Sequence, residues 1–183
     1  MKADPWMTEL EAERADKDAF FGGQSQSPIP PGDRLGFVGL DYFPPDPDFR
    51  FEIELREHVE KQAERMAYTK GELQEFTRWG EFRFEIGGEE CVLQAYKADA
   101  REGQLFVPLR DATSGQETYA AGRYLDLRPD TDRTPEGKWV LDLNRAYNPW
   151  CAYSEAYTCP YVPPENWLSV PVRAGEKKFP RAE

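Results

Sequence analysis

Phe51-Glu52-Ile53-Glu54-Leu55-Arg56 decides the fold class. Apolar and charged residues alternate one by one, which is the signature of a strand with one dry and one wet face. An amphipathic helix would space its apolar residues three and four apart. The same grammar continues downstream. Arg65 to Thr69 reads as a second strand, with Lys70-Gly71-Glu72 as its turn. Phe76, Arg78, Phe82, Phe84 and Ile86 mark a long third strand whose pattern breaks near Gly80. Glycine inside a strand signals a bulge or bend. Gly87-Gly88 is a hairpin turn, and Cys91, Leu93 and Ala95 line one face of the next strand. Leu105 to Leu109, Thr118 to Leu127 and Lys138 to Leu143 complete the set. Short strands joined by tight turns predict a mainly β protein, an antiparallel sandwich or barrel.

Upstream the grammar changes. Asp4-Pro5 is an N-cap followed by a first-turn proline, and the Glu-, Ala-, Lys- and Arg-rich segment after it predicts a helix that Gly22-Gly23 ends. Its apolar residues cluster at the two ends, Trp6, Met7 and Leu10 against Phe20 and Phe21, so its charged middle predicts a helix on the domain edge. The prolines of Ser27-Pro28-Ile29-Pro30-Pro31-Gly32 and Pro44-Pro45-Asp46-Pro47 exclude helix and central strand. Between them Leu35 to Phe43 is too apolar for a solvated linker, so it is expected to drape over the core. The chain 1–183 therefore reads as one domain: a helix over 1–23, an irregular arm over 24–50, and a β-rich core over 51–183 with a long loop at 144–168.

Composition narrows the function. The formal charge is −11, which disfavours nucleic acid and anionic membranes as partners. The acid excess with few lysines fits a protein of concentrated salt; an ordinary acidic protein from a GC-rich genome is the alternative. The N-terminus 1–5 carries no apolar signal core, so the cytoplasm is the expected compartment. One histidine, His58, removes metal sites that need two imidazoles, and it sits in a Glu-rich stretch expected at the surface. Three cysteines form no even disulfide framework. No metal site and no cofactor are expected, and oligomeric state is not addressed by these residues.

Two stretches carry chemistry. In the first, Asp111-Ala112-Thr113-Ser114-Gly115 is good turn material, while Arg123 stands in an otherwise apolar strand. Such an arginine either pairs with a carboxylate, with Asp111, Asp126, Asp142, Glu165 and Glu176 as candidates, or binds an anionic ligand. The second runs from Leu141 through Asn144, Tyr147, Asn148, Cys151, Tyr153 and Cys159 to Glu165 and Asn166. Six of the nine tyrosines fall between Tyr119 and Tyr161, and side chains with apolar bodies and polar tips suit a concave site. Packing of the loop by its own aromatics is the competing reading. Cys151 and Cys159 are open to three readings: inert buried thiols, a disulfide, or half of a metal site.

The chain resembles the family catalogued as domain of unknown function 1684. The resemblance runs through Phe37-Val38-Gly39-Leu40-Asp41-Tyr42-Phe43-Pro44, Gly80-Glu81-Phe82-Arg83-Phe84 and Asp111 to Tyr119. It is most specific at Asn144-Arg145-Ala146-Tyr147-Asn148-Pro149-Trp150-Cys151-Ala152-Tyr153 and ends at Ala174-Gly175-Glu176-Lys177; Leu143 stands where the family pattern suggests Phe. It implies a bacterial or archaeal origin and no activity. Two functions stay open. One is a small-molecule-binding domain, enzymatic or not, with a pocket near Arg123, Asn144, Tyr147, Asn148, Cys151, Tyr153, Glu165 and Asn166 that takes an anionic ligand. The other is a non-catalytic structural or protein-interaction domain using the aromatic loop as its surface. Catalytic residues are unassigned in both.

Overall fold

The structure, a computed structural model, describes residues 4–180. Residues 1–3, the start of the expected helix and of the segment read for a signal, lie outside that range. Helix α1 spans Pro5–Gly23, capped by the Asp4 carboxylate, which accepts the Trp6 N–H at 3.0 Å. It is not apolar enough to cross a membrane, nor is any other helix among the described residues.

Seven strands follow: β1 (Arg50–Ile53), β2 (Arg56–Ala67), β3 (Leu73–Ile86), β4 (Glu89–Lys97), β5 (Leu105–Leu109), β6 (Arg123–Leu127) and β7 (Trp139–Asp142). They form two antiparallel sheets, a five-stranded meander β2-β3-β4-β5-β6 and a two-stranded ribbon β1-β7. The core lies between them. Phe82, Leu93, Val107 and Leu125 of the meander meet Leu141, Val172 and the half-buried Phe51 and Ile53 from the other side. Of the two architectures expected, the chain takes packed sheets and not a closed barrel among the described residues. The arm packs outside: Ile29 joins Phe21 and Tyr153 in a second apolar cluster, and Arg34 closes the turn onto the carbonyls of Gln24, Ser27 and Ile29.

Three expectations need correction. The alternation Phe51 to Arg56 is two strands, because β1 leaves to pair with β7 before β2 begins at Arg56. The second strand is much longer than Arg65 to Thr69; its first half is almost wholly exposed, so no alternation betrays it. The strand expected from Thr118 begins only at Arg123, because Thr118 folds back to close a turn, with its N–H on the Thr113 carbonyl.

The bulge expected at Gly80 is present, as a register shift between Arg78 and Gly80 in the pairing with β4. It has a consequence for function. Strand alternation alone would put Phe76 on the same face as Phe82 and Phe84. The extra residue reverses the parity, so Phe82 and Phe84 enter the main core while Phe76 joins Tyr96 and Met66 on the opposite face. Gly80 permits the close approach there: a Cβ would stand 2.7 Å from the Arg56 carbonyl.

Candidate functional site

After β7 the chain has little regular structure, yet it is well buried, and side chains supply the hydrogen bonds that a ladder would give. Asp142 accepts from the Asn144 N–H and amide at 3.0 and 2.9 Å, and from Trp6 Nε1 and Arg145 Nη1 at 2.7 Å. Asn144 is 1% exposed and clamps the arm, accepting from the Asp46 N–H at 2.9 Å and donating to its carbonyl at 2.8 Å. Glu176, also buried, is the hub of the next turn. It accepts from the Asn148 N–H at 2.7 Å, from the Tyr153 hydroxyl at 2.6 Å and from the Lys17 ammonium of α1. Burial first, then the Glu176 charge, pushes the Tyr153 phenol far above its usual range, so it stays a donor.

Arg123 lies beneath this layer and is fully buried. Its guanidinium meets Asp111 at 3.0 Å and the carbonyls of Val172, Ala174 and Glu176. Asp111 in turn accepts from Thr113 and from the Val172 N–H, so the anticipated turn and the arginine are one structure. Desolvation lowers the Arg123 pKa from its ordinary value and the Asp111 charge opposes it. The fork thus faces protein oxygens on the side of 172–176. The surrounding recesses are lined by other residues.

The remaining candidates divide. Asn144 and Tyr147 line a small cavity of about 160 Å³ together with Lys17, Arg14 and Glu176. Cys151 and Cys159 are both thiols, with the Cys151 N–H on Cys159 Sγ at 3.4 Å. Hydrogen bonding between the two thiols lowers Cys159 to about 7 and drives Cys151 in the opposite direction. Glu165 and Asn166 sit on the other side of the loop. Glu165 accepts the Tyr96 hydroxyl at 3.0 Å. Asn166 inserts its amide between β4 and β5, donating to the carbonyls of Gln94 and Pro108 at 2.9 and 2.7 Å and accepting the Gln94 N–H at 2.8 Å. It replaces ladder bonds where Pro108 has none to donate. His58 is half-buried, with Nε2 2.7 Å from Gln94 Oε1, not fully at the surface as expected. No group of three His, Cys, Asp or Glu is placed to hold a metal ion among the described residues.

A further recess, of about 270 Å³, opens on the outer face of the five-stranded sheet. Its walls are Tyr68, Phe76, Phe106, Tyr124 and Tyr147, with Asp126 at one side. Alternation explains the placement: Leu105, Val107, Leu125 and Leu127 point into the core, so Phe106, Tyr124 and Asp126 point out. Phe106 and Tyr124 cross at 75° with centroids 4.9 Å apart, and Tyr124 and Tyr147 at 90° and 5.9 Å. The Tyr147 hydroxyl donates to Asp126 at 2.5 Å, and that of Tyr124 to the Pro160 carbonyl. Burial raises both phenols far above their usual range, with Asp126 adding to the shift at Tyr147.

The family model described as protein of unknown function (DUF1684) matches residues 35–177. The chain belongs to this family. A solution NMR structure of an uncharacterised protein from Haloarcula marismortui is 42% identical, with a TM-score of 0.72 and coverage of 94% of each chain. No curated protein matches. The family segment takes in the arm from residue 35 on, every strand, the recess and Glu176, but not α1. Lys17, the ammonium on Glu176, therefore comes from outside it.

Lys17, Asp126, Phe106, Tyr68 and Phe76 were not singled out from sequence as site residues. A signal for one of them, Phe106, was available. A sheet face turned to solvent should carry polar residues, and Phe106 and Tyr124 break that rule in neighbouring strands.

Proposed function

We propose that this protein is a small-molecule-binding domain and that its ligand seat is the recess of Tyr68, Phe76, Phe106, Tyr124 and Tyr147. One observation carries the reading: five aromatic side chains gather around a concavity on a sheet face that has no second sheet to bury. Concave, mostly apolar sites with a few placed polar groups are what small ligands use. Tyr147 and Pro160 bring the 144–166 loop into the wall, and of the residues expected at a site Tyr147 alone lines this recess. A wider cleft, of about 1260 Å³ between the arm and residues 152–155, exceeds what a small ligand needs.

Thermal-shift screening of a metabolite library tests the reading. A ligand at 100 times its Kd adds about 2.7 kcal/mol of stability. The hit is expected to stabilise the wild-type protein and to lose that effect in Phe106→Ala. A library without hits, or a shift that survives Phe106→Ala, overturns it.

A protein-interaction role draws on exposed apolar residues, with Val38 fully and Leu35 nearly fully exposed in the arm. In the aromatic loop Tyr147 and Tyr153 turn inward, while Trp150, Tyr161 and Trp167 are exposed. The charge of −11 and the haloarchaeal relative support a high-salt setting, which a melting temperature rising with potassium chloride would test. The three thiols favour the cytoplasm.

A further inference from the structure

We propose that the recess selects a small organic ammonium ion, a methylated amine, over neutral and anionic ligands. This rests on the reading of the recess as the ligand seat.

Three observations carry it. First, five aromatic rings line the recess: Phe106 crosses Tyr124 at 75° and Tyr124 crosses Tyr147 at 90°, while Phe76 and Phe106 stack at 28°. Ring faces that meet at such angles around a cavity form a cage, and the electron-rich faces of aromatic rings attract cations. Second, the formal charges on the lining are both negative, Asp126 and Glu102, and no lysine or arginine lines it among the described residues. Lys17, whose ammonium stands over the Tyr147 ring at 5.1 Å from its centroid, has its charge met by the buried Glu176 carboxylate. Third, the phenol hydroxyls are already used. Tyr68 donates to Gln74, Tyr124 to Pro160 and Tyr147 to Asp126. Hydroxyls that donate to protein acceptors leave the ring faces, not O–H groups, to meet a ligand. Donation to an acceptor also adds electron density to the ring. An anion would find no donor on a charged side chain here, and a neutral molecule would forgo the attraction of both carboxylates.

The size fits. About 270 Å³ has room for a tetra-substituted ammonium head. Asp126 keeps unused lone pairs, since it accepts only the Tyr147 hydroxyl and, at 3.2 Å, the Gln104 amide.

The test is an NMR titration of the whole chain with tetramethylammonium chloride, at constant ionic strength, read on the aromatic resonances of Tyr124 and Tyr147. A parallel titration uses neopentane-shaped tert-butyl alcohol, a neutral molecule of similar form. The expected result is saturable binding of tetramethylammonium, with the alcohol about tenfold weaker or worse. Asp126→Asn, which keeps an acceptor for Tyr147, should weaken the ammonium about tenfold and leave the alcohol unchanged. Phe106→Leu should likewise weaken the ammonium more than the alcohol, which covers the case in which Asp126→Asn does not fold. Equal binding of both probes overturns the cation preference and leaves the recess a ligand seat. Alcohol without ammonium binding does the same. Binding of neither overturns the cation inference, while library hits that Phe106→Ala abolishes would still support the broader reading.

Discussion

The hairpin β2–β3 and the coil between Asp142 and Lys177 reverse the usual relation between regularity and burial. β2 is a twelve-residue strand, yet only Met66 in it is buried. The coil has no strand and only short 3-10 turns, yet Asn144, Asn148, Asn166 and Glu176 within it are each at most 2% exposed. Backbone pairing holds the first. Side chain to backbone bonds hold the second, from Asp142, Asn144, Asn166 and Glu176 inward. Regular structure is therefore no guide here to where the protein is rigid. Buried polar side chains bonded to the backbone fix a coil without a ladder. The recess lies where the two regions meet, with Tyr68 and Phe76 from the hairpin side and Tyr147 and Pro160 from the coil.

The comparison breaks most severely at Arg123. Arg123→Ala orphans the buried Asp111 and removes the donor for three carbonyls of 172–176. The expected loss is about 3–5 kcal/mol, the range for breaking a buried ion pair. Urea unfolding measures it. A loss under about 1 kcal/mol would mean that the coil does not depend on this guanidinium.

Asn166→Ala comes next. It leaves the Gln94 N–H and carbonyl and the Pro108 carbonyl without their side-chain partner, in a site with no solvent exposure. Each buried group left unsatisfied costs about 1–3 kcal/mol, less where water enters. A loss of about 2–3 kcal/mol is expected in the same unfolding experiment. If β4 and β5 stay joined without it, their hydrogen-exchange protection will not change.

Sequence reading captured the part of this molecule governed by local rules. The Asp4 cap, the Gly80 bulge, the Gly87-Gly88 turn and the Asp111 turn each depend on a few neighbouring residues, and each is where it was expected. It missed the first half of β2 because Glu57 and Gln62 pair on one side only, Glu60 and Lys61 lie in the register shift between them, and all four are exposed. It placed α1 on the domain edge from its charged middle but gave no partners to Lys17 and Arg14, which reach across to Glu176 and to the carbonyls of Phe43 and Asn144. The contact that gives Lys17 its role spans 159 residues, and no local pattern encodes it. The recess was out of reach for the same reason, since five separated segments build it and the Gly80 bulge decides which face Phe76 takes.

The thiol pair sharpens the comparison through pH. Cys159 is lowered from 9.0 to about 7, so the folded state loses this proton before the unfolded state does. Stability from this group is then full above about pH 9, falls as pH drops towards 7, and is absent below. Cys151 is raised and acts oppositely, but only above its ordinary value of 9.0. Urea midpoints measured at pH 7 and 9 should therefore rise with pH more steeply for the wild-type protein than for Cys159→Ser. Parallel slopes would remove the coil's thiols from its pH response.

The smallest effect belongs to the regular half. Val59, in the middle of the edge strand β2, is fully exposed. Its backbone ladder to β3 is interrupted around it, since the register shifts between Glu57 and Gln62. Nothing in the fold rewards a buried methyl there, and surface substitutions away from special features stay within about 0.5 kcal/mol. Val59→Thr keeps the branched shape that strands favour, so a change inside that range is expected. The charged residues beside it, Glu57, Glu60 and Lys61, are what an edge uses to refuse a second strand. If Val59→Thr instead costs about 1 kcal/mol or more, and the cost grows with protein concentration, the β2 edge is covered by another copy of the chain in solution. The exposed hairpin would then be an interface, and its contrast with the buried coil would vanish in the assembled protein.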